Sequence, residues 1–135
     1  MIFLLPKTLH LKGEVVSGSG EGTKFTELPW VKRQISEKLG FLPAQGTLNI
    51  RLTSEFAKRK ESLKATTAID ITPEEGFCTA TCYGAIFMET TECAIIIPRV
   101  ADYPQNTLEI IAPTNLRKKF RLKNGATVKV EVMLQ

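Results

Sequence analysis

The chain of 135 residues is long enough for one domain with a buried core, and its 43% hydrophobic and 24% charged residues are typical of a globular protein. A formal net charge of +4 suits a ligand that carries phosphate, but no long basic run or aromatic-rich basic patch favours nucleic acid. Three cysteines, a single histidine and the absence of a C-x-x-C pair argue against a zinc site.

The chain begins with six mostly apolar residues, which are too few for a signal peptide or a membrane span. We therefore expect a cytoplasmic protein in which Cys78, Cys82 and Cys93 are reduced and buried. Polar and apolar residues then alternate from 9 to 17, and this alternation predicts a first β-strand.

A glycine-rich segment, residues 18–24, follows the first predicted strand. Glycines at alternate positions let the backbone approach a ligand closely, and such a loop can direct several N–H groups at phosphate oxygens. The spacing matches neither a Walker A loop nor a Rossmann fingerprint. A glycine-rich hairpin without a ligand is the alternative interpretation, and this segment alone leaves it open.

The rest of the chain contains one clear helix and several short strands. Apolar residues recur at helical spacing from Leu28 to Leu39, with Pro29 near the start and Gly40 at the end. A charged segment at 54–60 is predicted to be helical or irregular, and Thr114 is predicted to cap a short helix. Strand patterns occur at residues 46–52, 64–71, 77–88, 93–98, 107–112 and 127–134.

Many short strands and few helices predict a small, mainly β barrel, in which closure removes exposed sheet edges. The parallel βαβ alternation of P-loop and Rossmann enzymes is missing from the pattern. A nucleotide site in this chain would therefore have to be built differently from the sites of those two folds.

Several sequence blocks, in the same order, resemble the archaeal CTP-dependent riboflavin kinases. The blocks are G-E-V-V-S-G-S-G-E-G from residue 13, L-G-F-x-P from 39, G-T-L-N from 46, A-I-I-I-P from 94 and L-E-I-I-A-P-x-x-L-R from 108. The resemblance covers nearly the whole chain, and G-T-L-N together with L-E-I-I-A-P-x-x-L-R is its most specific part. Residues 53–76 contribute little to it.

The resemblance implies a mainly β fold, a compact six-stranded cradle-loop barrel with one or two short helices. It implies that residues 1–135 form a single kinase domain, and the chain has no room for the N-terminal winged-helix domain that some members carry. It also implies transfer of the terminal phosphate of CTP to the 5′-hydroxyl of riboflavin, which gives FMN and CDP.

The resemblance assigns two segments to the nucleotide. They consist of Ser19, Gly20, Glu21, Gly22, Thr23 and Lys24, and of Thr114, Asn115, Leu116 and Arg117. Backbone N–H groups of the first segment and of a helix start at the second would face phosphate oxygens. Lys24 and Arg117 would add positive charge, although a solvated lysine and an ordinary surface arginine are the alternatives.

The family's metal and flavin positions map onto two strands. Thr47 and Asn49, two residues apart on one strand face, would bind Mg²⁺, which takes its remaining ligands from phosphate and water. From spacing alone, the outward face of a half-buried strand is the alternative. Glu109 would bind the flavin, and Ala101 stands where the family often has a second flavin contact, a threonine, so that Asp102 or Tyr103 would have to compensate.

We assign no catalytic residue, because a loose phosphoryl-transfer transition state needs no strong base. Trp30, Phe41 and Tyr103 are candidate stacking surfaces for the flavin, but aromatic residues in so small a domain belong more often to the core. We expect a monomer without a nucleic-acid or membrane partner. The alternative hypothesis is a basic β-barrel module that binds nucleic acid or protein without catalysis, a hypothesis that rests on the positive charge and on fold analogy.

Overall fold

The computed structural model describes residues 7–74, 76 and 78–134, and in this part of the chain it contains seven β-strands, four α-helices and one 3₁₀ helix. The strands are β1 (Lys7–Val16), β2 (Leu48–Leu52), β3 (Ile69–Ile71), β4 (Ala80–Phe87), β5 (Thr91–Pro98), β6 (Thr107–Ile111) and β7 (Thr127–Leu134). The α-helices are α1 (Glu21–Glu27), α2 (Pro29–Leu39), α3 (Ser54–Glu61) and α4 (Leu116–Lys119), and the 3₁₀ helix is Ser62–Ala65.

Six strands form a closed antiparallel barrel. They pair in the order β4-β5-β6-β2-β1-β7, and β7 pairs back onto β4, which closes the ring. The short strand β3 pairs with the outer side of β4. The predicted mainly β, six-stranded barrel is confirmed, whereas the prediction of one or two helices is wrong, because four short helices connect and cover the strands.

Two hydrophobic clusters hold the barrel and its main helix together. The first fills the interior, with Leu11, Ile50 and Ile95 among its fully buried members. The second lies under α2, where Val31 and Ile35 pack with Ile96 of the barrel wall. Strand β5 contributes to both clusters, which explains why its centre is apolar on both faces.

The boundaries of α2 confirm the helix that the sequence predicts between Leu28 and Gly40. Pro29 occupies the first turn, and Gly40 ends the helix with φ of 83°, a left-handed conformation that glycine adopts without a Cβ penalty.

The predicted strand at 64–71 is wrong over most of its length. The 3₁₀ helix continues directly from α3, and the Thr66 hydroxyl then donates to Leu63 O at 2.8 Å, so that within this segment only Ile69–Ile71 form a strand.

Two further sequence predictions need comment. Cys82 and Cys93 are buried and free as expected, but Cys78 is exposed, because it precedes β4 rather than lying within it. The predicted apolar start at residues 1–6, and Phe77, at which the sequence predicts that a strand begins, lie outside the described residues. In the described part of the chain, no helix is long and apolar enough to cross a membrane.

Candidate functional site

The glycine-rich segment lies at the end of β1, close to β2. Gly18 packs against the side chain of Asn49, and a Cβ atom at Gly18 would lie 2.3 Å from Asn49 Nδ2. Gly20 has φ of 87°, and α1 begins at the next residue. The predicted loop over residues 18–24 is therefore too long, because residues 21–24 belong to α1.

Helix α1 is fixed to the chain just before β2. The buried hydroxyl of Thr26 accepts a hydrogen bond from the Gly46 N–H at 2.9 Å and donates to Thr23 O at 3.2 Å. A Cβ atom at Gly46 would lie 3.2 Å from Thr23 Oγ1. Thr23 therefore lies beside the start of the G-T-L-N block, whereas Lys24 is exposed in the last turn of α1.

The second predicted nucleotide segment joins the same region through Arg117. Its Nη2 donates to Val16 O at 3.2 Å and to Asn124 Oδ1 at 2.8 Å, and Asn124 Nδ2 donates to Ser17 Oγ at 2.9 Å. These contacts fix α4 to the end of β1. The two predicted nucleotide segments, about a hundred residues apart in sequence, are therefore neighbours in the structure.

The cap of α4 differs from the predicted one. Asn115, not Thr114, is the N-cap residue, and its Oδ1 accepts a hydrogen bond from Lys118 N at 3.0 Å. Both residues can accept such a bond, and the helix starts one residue later than the pattern suggests. Leu116 is buried in the barrel core, so that only its backbone is available to a ligand.

A small cleft of about 80 Å³ lies between residues 44–48, which lead into β2, and the start of α4. It will be called the first cleft. Its lining includes Gly46, Thr47, Thr114, Asn115 and Arg117. The structure thus brings the predicted metal ligand Thr47 and most of the second predicted nucleotide segment to one place.

Glu109 is the central residue of the site. It lies directly opposite Asn49 in the β2–β6 pairing. Its Oε1 accepts a hydrogen bond from Thr47 Oγ1 at 3.0 Å, and its Oε2 accepts one from the Tyr103 hydroxyl at 2.6 Å. The carboxylate is therefore fixed from both sides by hydroxyl groups.

A larger cleft of about 600 Å³ lies on the Tyr103 side of Glu109. It will be called the second cleft. Its lining includes Lys60, Thr81, Ile97, Val100, Ala101 and Tyr103. Its volume is in the range of small-molecule sites, and its mixture of apolar walls with a few polar groups is typical of them.

Two titratable groups of the second cleft have shifted pKa values. Burial lowers the pKa of Lys60 from its usual value near 10.5, and the neighbouring Glu61 and Glu109 charges partly oppose this shift. Burial, and then the hydrogen bond to Glu109, raise the pKa of Tyr103 far above its usual range. Tyr103 is therefore a protonated hydrogen-bond donor at neutral pH.

The oxygen atoms of Thr47 and Asn49 fit the requirements of a Mg²⁺ site. Asn49 Nδ2 lies 3.4 Å from Thr47 Oγ1. Rotation of the side-chain amide exchanges Nδ2 and Oδ1 and so places the oxygen at that position. Both side chains carry a neutral oxygen of the type that Mg²⁺ takes, and they would hold such an ion together with phosphate and water ligands. Among the described residues no group of three or more His, Cys, Asp and Glu side chains has the arrangement of a metal site.

Comparison with known proteins gives a consistent result. The family model of the CTP-dependent riboflavin kinases, described as "Domain of unknown function DUF120", matches residues 15–132. The chain belongs to the CTP-dependent riboflavin kinase family. The match covers the barrel from the end of β1 into β7, including both clefts.

Similar proteins named riboflavin kinase occur in several archaea. The chain is 41% identical over 133 residues to one from Archaeoglobus fulgidus, covering 94% of this chain and 56% of the relative. It is 36% identical over 134 residues to one from Methanosarcina acetivorans, covering 96% and 56%. It is 37% identical over 135 residues to one from Ignicoccus hospitalis, covering 96% and 74%. The chain thus spans somewhat more than half the length of the first two relatives.

Sequence reasoning missed two residues of the site, Lys60 and Thr26, and the bond that Tyr103 makes to Glu109. Lys60 lies in a charged run that is typical of a solvated face, but it shares the buried side of α3 with Ala57, three residues earlier. The three-residue spacing between Ala57 and Lys60 places both on one helix face, and this pattern would have indicated that Lys60 is buried. Thr26 and the hydroxyl role of Tyr103 depend on partners far away in sequence, and no local pattern indicates them.

Proposed function

We propose that this protein is a kinase that transfers the terminal phosphate of CTP to the 5′-hydroxyl of riboflavin and releases FMN and CDP. The observation that carries the proposal is the Glu109 carboxylate, which is bonded to Thr47 of the first cleft and to Tyr103 of the second. Phosphoryl transfer requires a nucleotide and an acceptor held side by side, and two clefts that each have a lining residue hydrogen-bonded to the same carboxylate suit this requirement. Membership of the family supports the proposal.

We assign the first cleft to the phosphate end of the nucleotide. A volume of about 80 Å³ is too small for a whole nucleotide, so that the rest of the ligand would extend along the glycine-rich segment and α4. The proposed contacts are the backbone at Ser19, Gly20, Glu21, Gly22 and Leu116, and the side chains of Thr23, Thr114, Asn115 and Arg117. Lys24 is the most peripheral member of this set, because it lies in the last turn of α1.

Thr47 and Asn49 would hold a Mg²⁺ ion between the nucleotide and the acceptor. When bound, the ion would neutralise charge on the phosphate oxygens. The Thr47 hydroxyl can offer a lone pair to the ion while its O–H donates to Glu109 Oε1, which would make the oxygen a better ligand. A site with two neutral ligands is weak without substrate phosphates, as is common for Mg²⁺.

We assign the second cleft to riboflavin. Its volume of about 600 Å³ is sufficient for a three-ring ligand with a polar chain. Glu109 would accept hydrogen bonds from ligand hydroxyls, which would place the 5′-hydroxyl near the first cleft. Ala101 lies at the exposed rim and has no hydroxyl, and the Tyr103 hydroxyl is already bonded to Glu109. Trp30 and Phe41 belong to the core, with 4% and 8% exposure, so that stacking on either is not part of the proposal.

The chemistry proposed for these residues is positioning and charge neutralisation. Arg117 brings a positive charge to the first cleft, and no residue is assigned as a catalytic base. We further propose a monomer that acts in the cytoplasm without a nucleic-acid partner. The buried thiols of Cys82 and Cys93 suit a reducing compartment, and paired clefts suit small ligands better than a polymer.

The direct test is an assay of FMN formation from riboflavin and Mg²⁺ with CTP or ATP at equal concentration. We expect FMN with CTP, much less with ATP, and none after chelation of the metal. Glu109→Gln keeps the shape of the side chain and should raise the riboflavin KM more than the CTP KM. If no FMN forms with any nucleotide and metal, the proposal is wrong.

A further inference from the structure

The second cleft contains a buried ammonium group with an unusual set of partners. Lys60 is only 5% exposed, although lysine side chains are mostly solvated. Its Nζ donates to Thr107 O at 2.8 Å and lies 3.5 Å from Pro104 O. It also lies 5.4 Å from the centroid of the Tyr103 ring, within the range of a cation–π contact.

These contacts fix the segment that carries Tyr103. Pro104 is the next residue in the chain, and Thr107 begins β6, so that Lys60 holds both ends of the loop between Tyr103 and the barrel. The ring of Tyr103 is held by the ammonium group, and its hydroxyl is directed at Glu109 Oε2 at 2.6 Å. The ring and the hydroxyl therefore have separate partners.

We infer that Tyr103 is a positioning residue that orients the Glu109 carboxylate toward the acceptor, and that Lys60 holds Tyr103 in place for this role. The inference rests on the proposed function. Thr47 fixes Oε1 from the first cleft, and Tyr103 fixes Oε2 from the second. With both bonds, rotation of the carboxylate is blocked and its remaining lone pairs have defined directions. Without Tyr103, only the Thr47 bond remains.

The first variant is Tyr103→Phe, which removes the hydroxyl and keeps the ring beside Lys60. A hydrogen bond to a charged group is strong enough that its loss should raise the riboflavin Kd and KM about tenfold. The CTP KM should stay within about twofold, because the nucleotide cleft is untouched. The riboflavin Kd is measured by flavin fluorescence without nucleotide or metal, which gives a readout that does not depend on turnover.

The matched comparison is Tyr83→Phe, a change at the chain's other tyrosine, which also lines the second cleft but directs its hydroxyl elsewhere. The Tyr83 hydroxyl is buried and donates to Leu63 O at 2.9 Å rather than to a carboxylate. Its removal should lower the melting temperature while raising the riboflavin Kd far less than Tyr103→Phe does. A purely structural role of Tyr103 would give the same pattern for both variants, and that result would overturn the inference.

The proposed role of Lys60 is tested by combining its variants with Tyr103→Phe. Lys60→Met should raise the riboflavin Kd in the wild-type background, and Lys60→Arg should restore most of the affinity. In the Tyr103→Phe background, Lys60→Met should have little further effect, because residues that act through one another are not additive. Additive effects, or a wild-type riboflavin Kd in Tyr103→Phe, would overturn the inference. Wild-type protein that binds riboflavin but makes no FMN would instead contradict the proposed function.

Discussion

The two clefts differ in how the chain builds them. The first cleft is lined mainly by small and neutral residues together with the cation Arg117, and most of these residues come from short contiguous segments around Gly46 and Thr114. The second cleft depends on charged and aromatic side chains whose partners are distant in sequence, such as Lys60 with Thr107 and Tyr103 with the ammonium of Lys60. Glu109 connects the two.

This difference indicates which cleft can accept substitutions. A cleft built from backbone positions tolerates few substitutions, because glycine positions and strand pairing define its shape. A cleft lined by long side chains can be adjusted one residue at a time, and Ala101 at its rim is a position for such a change. The variants below alter the proposed metal site, the glycine-rich segment beside it, the second cleft, or the buried thiols outside both clefts.

The largest effect is expected from Thr47→Ala combined with Asn49→Ala. Loss of both proposed metal ligands should lower kcat/KM at least about 100-fold and abolish saturation with Mg²⁺. FMN formation across a Mg²⁺ series measures this. The control is Thr8→Ala, at the opposite end of β1 from the site. If turnover and its metal dependence persist in the double variant, the metal site is assigned wrongly.

Gly18→Ala is expected to have the next largest effect. The new methyl group would lie 2.3 Å from Asn49 Nδ2, so that Asn49 or the glycine segment must move. Overpacking of this kind costs about 1–3 kcal/mol of stability, and displacement of Asn49 should reduce kcat about tenfold. Chemical denaturation and the FMN assay measure the two effects.

The matched control for Gly18→Ala is Gly84→Ala. A Cβ atom at Gly84 has no described atom within 4 Å, and Gly84 has no positive φ. We expect wild-type activity and a change in stability of less than about 1 kcal/mol. Equal effects of the two variants would show that Gly18 is not required for close packing with Asn49.

The comparison of the clefts also explains what the sequence could predict. The alternation of β1 and β7, the Pro29 and Gly40 boundaries of α2, and the G-T-L-N block are local signals, and they led to the barrel and to Thr47 and Asn49. The roles of Tyr103 and Lys60 arise from contacts across the fold. Local patterns also failed where the 3₁₀ helix continues α3, because hydrogen bonds around Leu63 decide that conformation.

Ala101→Thr should sharpen the comparison by changing only the second cleft. A hydroxyl at this rim position should tighten riboflavin binding about fivefold, the usual gain from one additional hydrogen bond. The CDP affinity should be unchanged. Ala101→Val adds nearly the same volume without a hydroxyl and serves as the control. If the valine and threonine variants bind riboflavin equally, the hydroxyl plays no part.

The smallest effect on activity is expected at the buried thiols. Burial raises the pKa of both Cys82 and Cys93 to about 12, from a usual value of 9.0. Their contribution to stability is complete below pH 9 and is lost as the pH rises through about 12, because the unfolded thiols ionise first. Urea unfolding should show that Cys93→Ala loses less stability than wild type between pH 9 and pH 11. Parallel losses in the two proteins would contradict the stated cause.

The most direct test of the account is a crystal structure with CDP, Mg²⁺ and FMN bound. We expect the CDP phosphates at the first cleft, the metal on Thr47 and Asn49, the flavin rings in the second cleft, and Glu109 in contact with the FMN ribityl chain. A flavin bound away from the Ala101 and Tyr103 side of Glu109, or a nucleotide that does not reach the glycine-rich segment, would contradict the account.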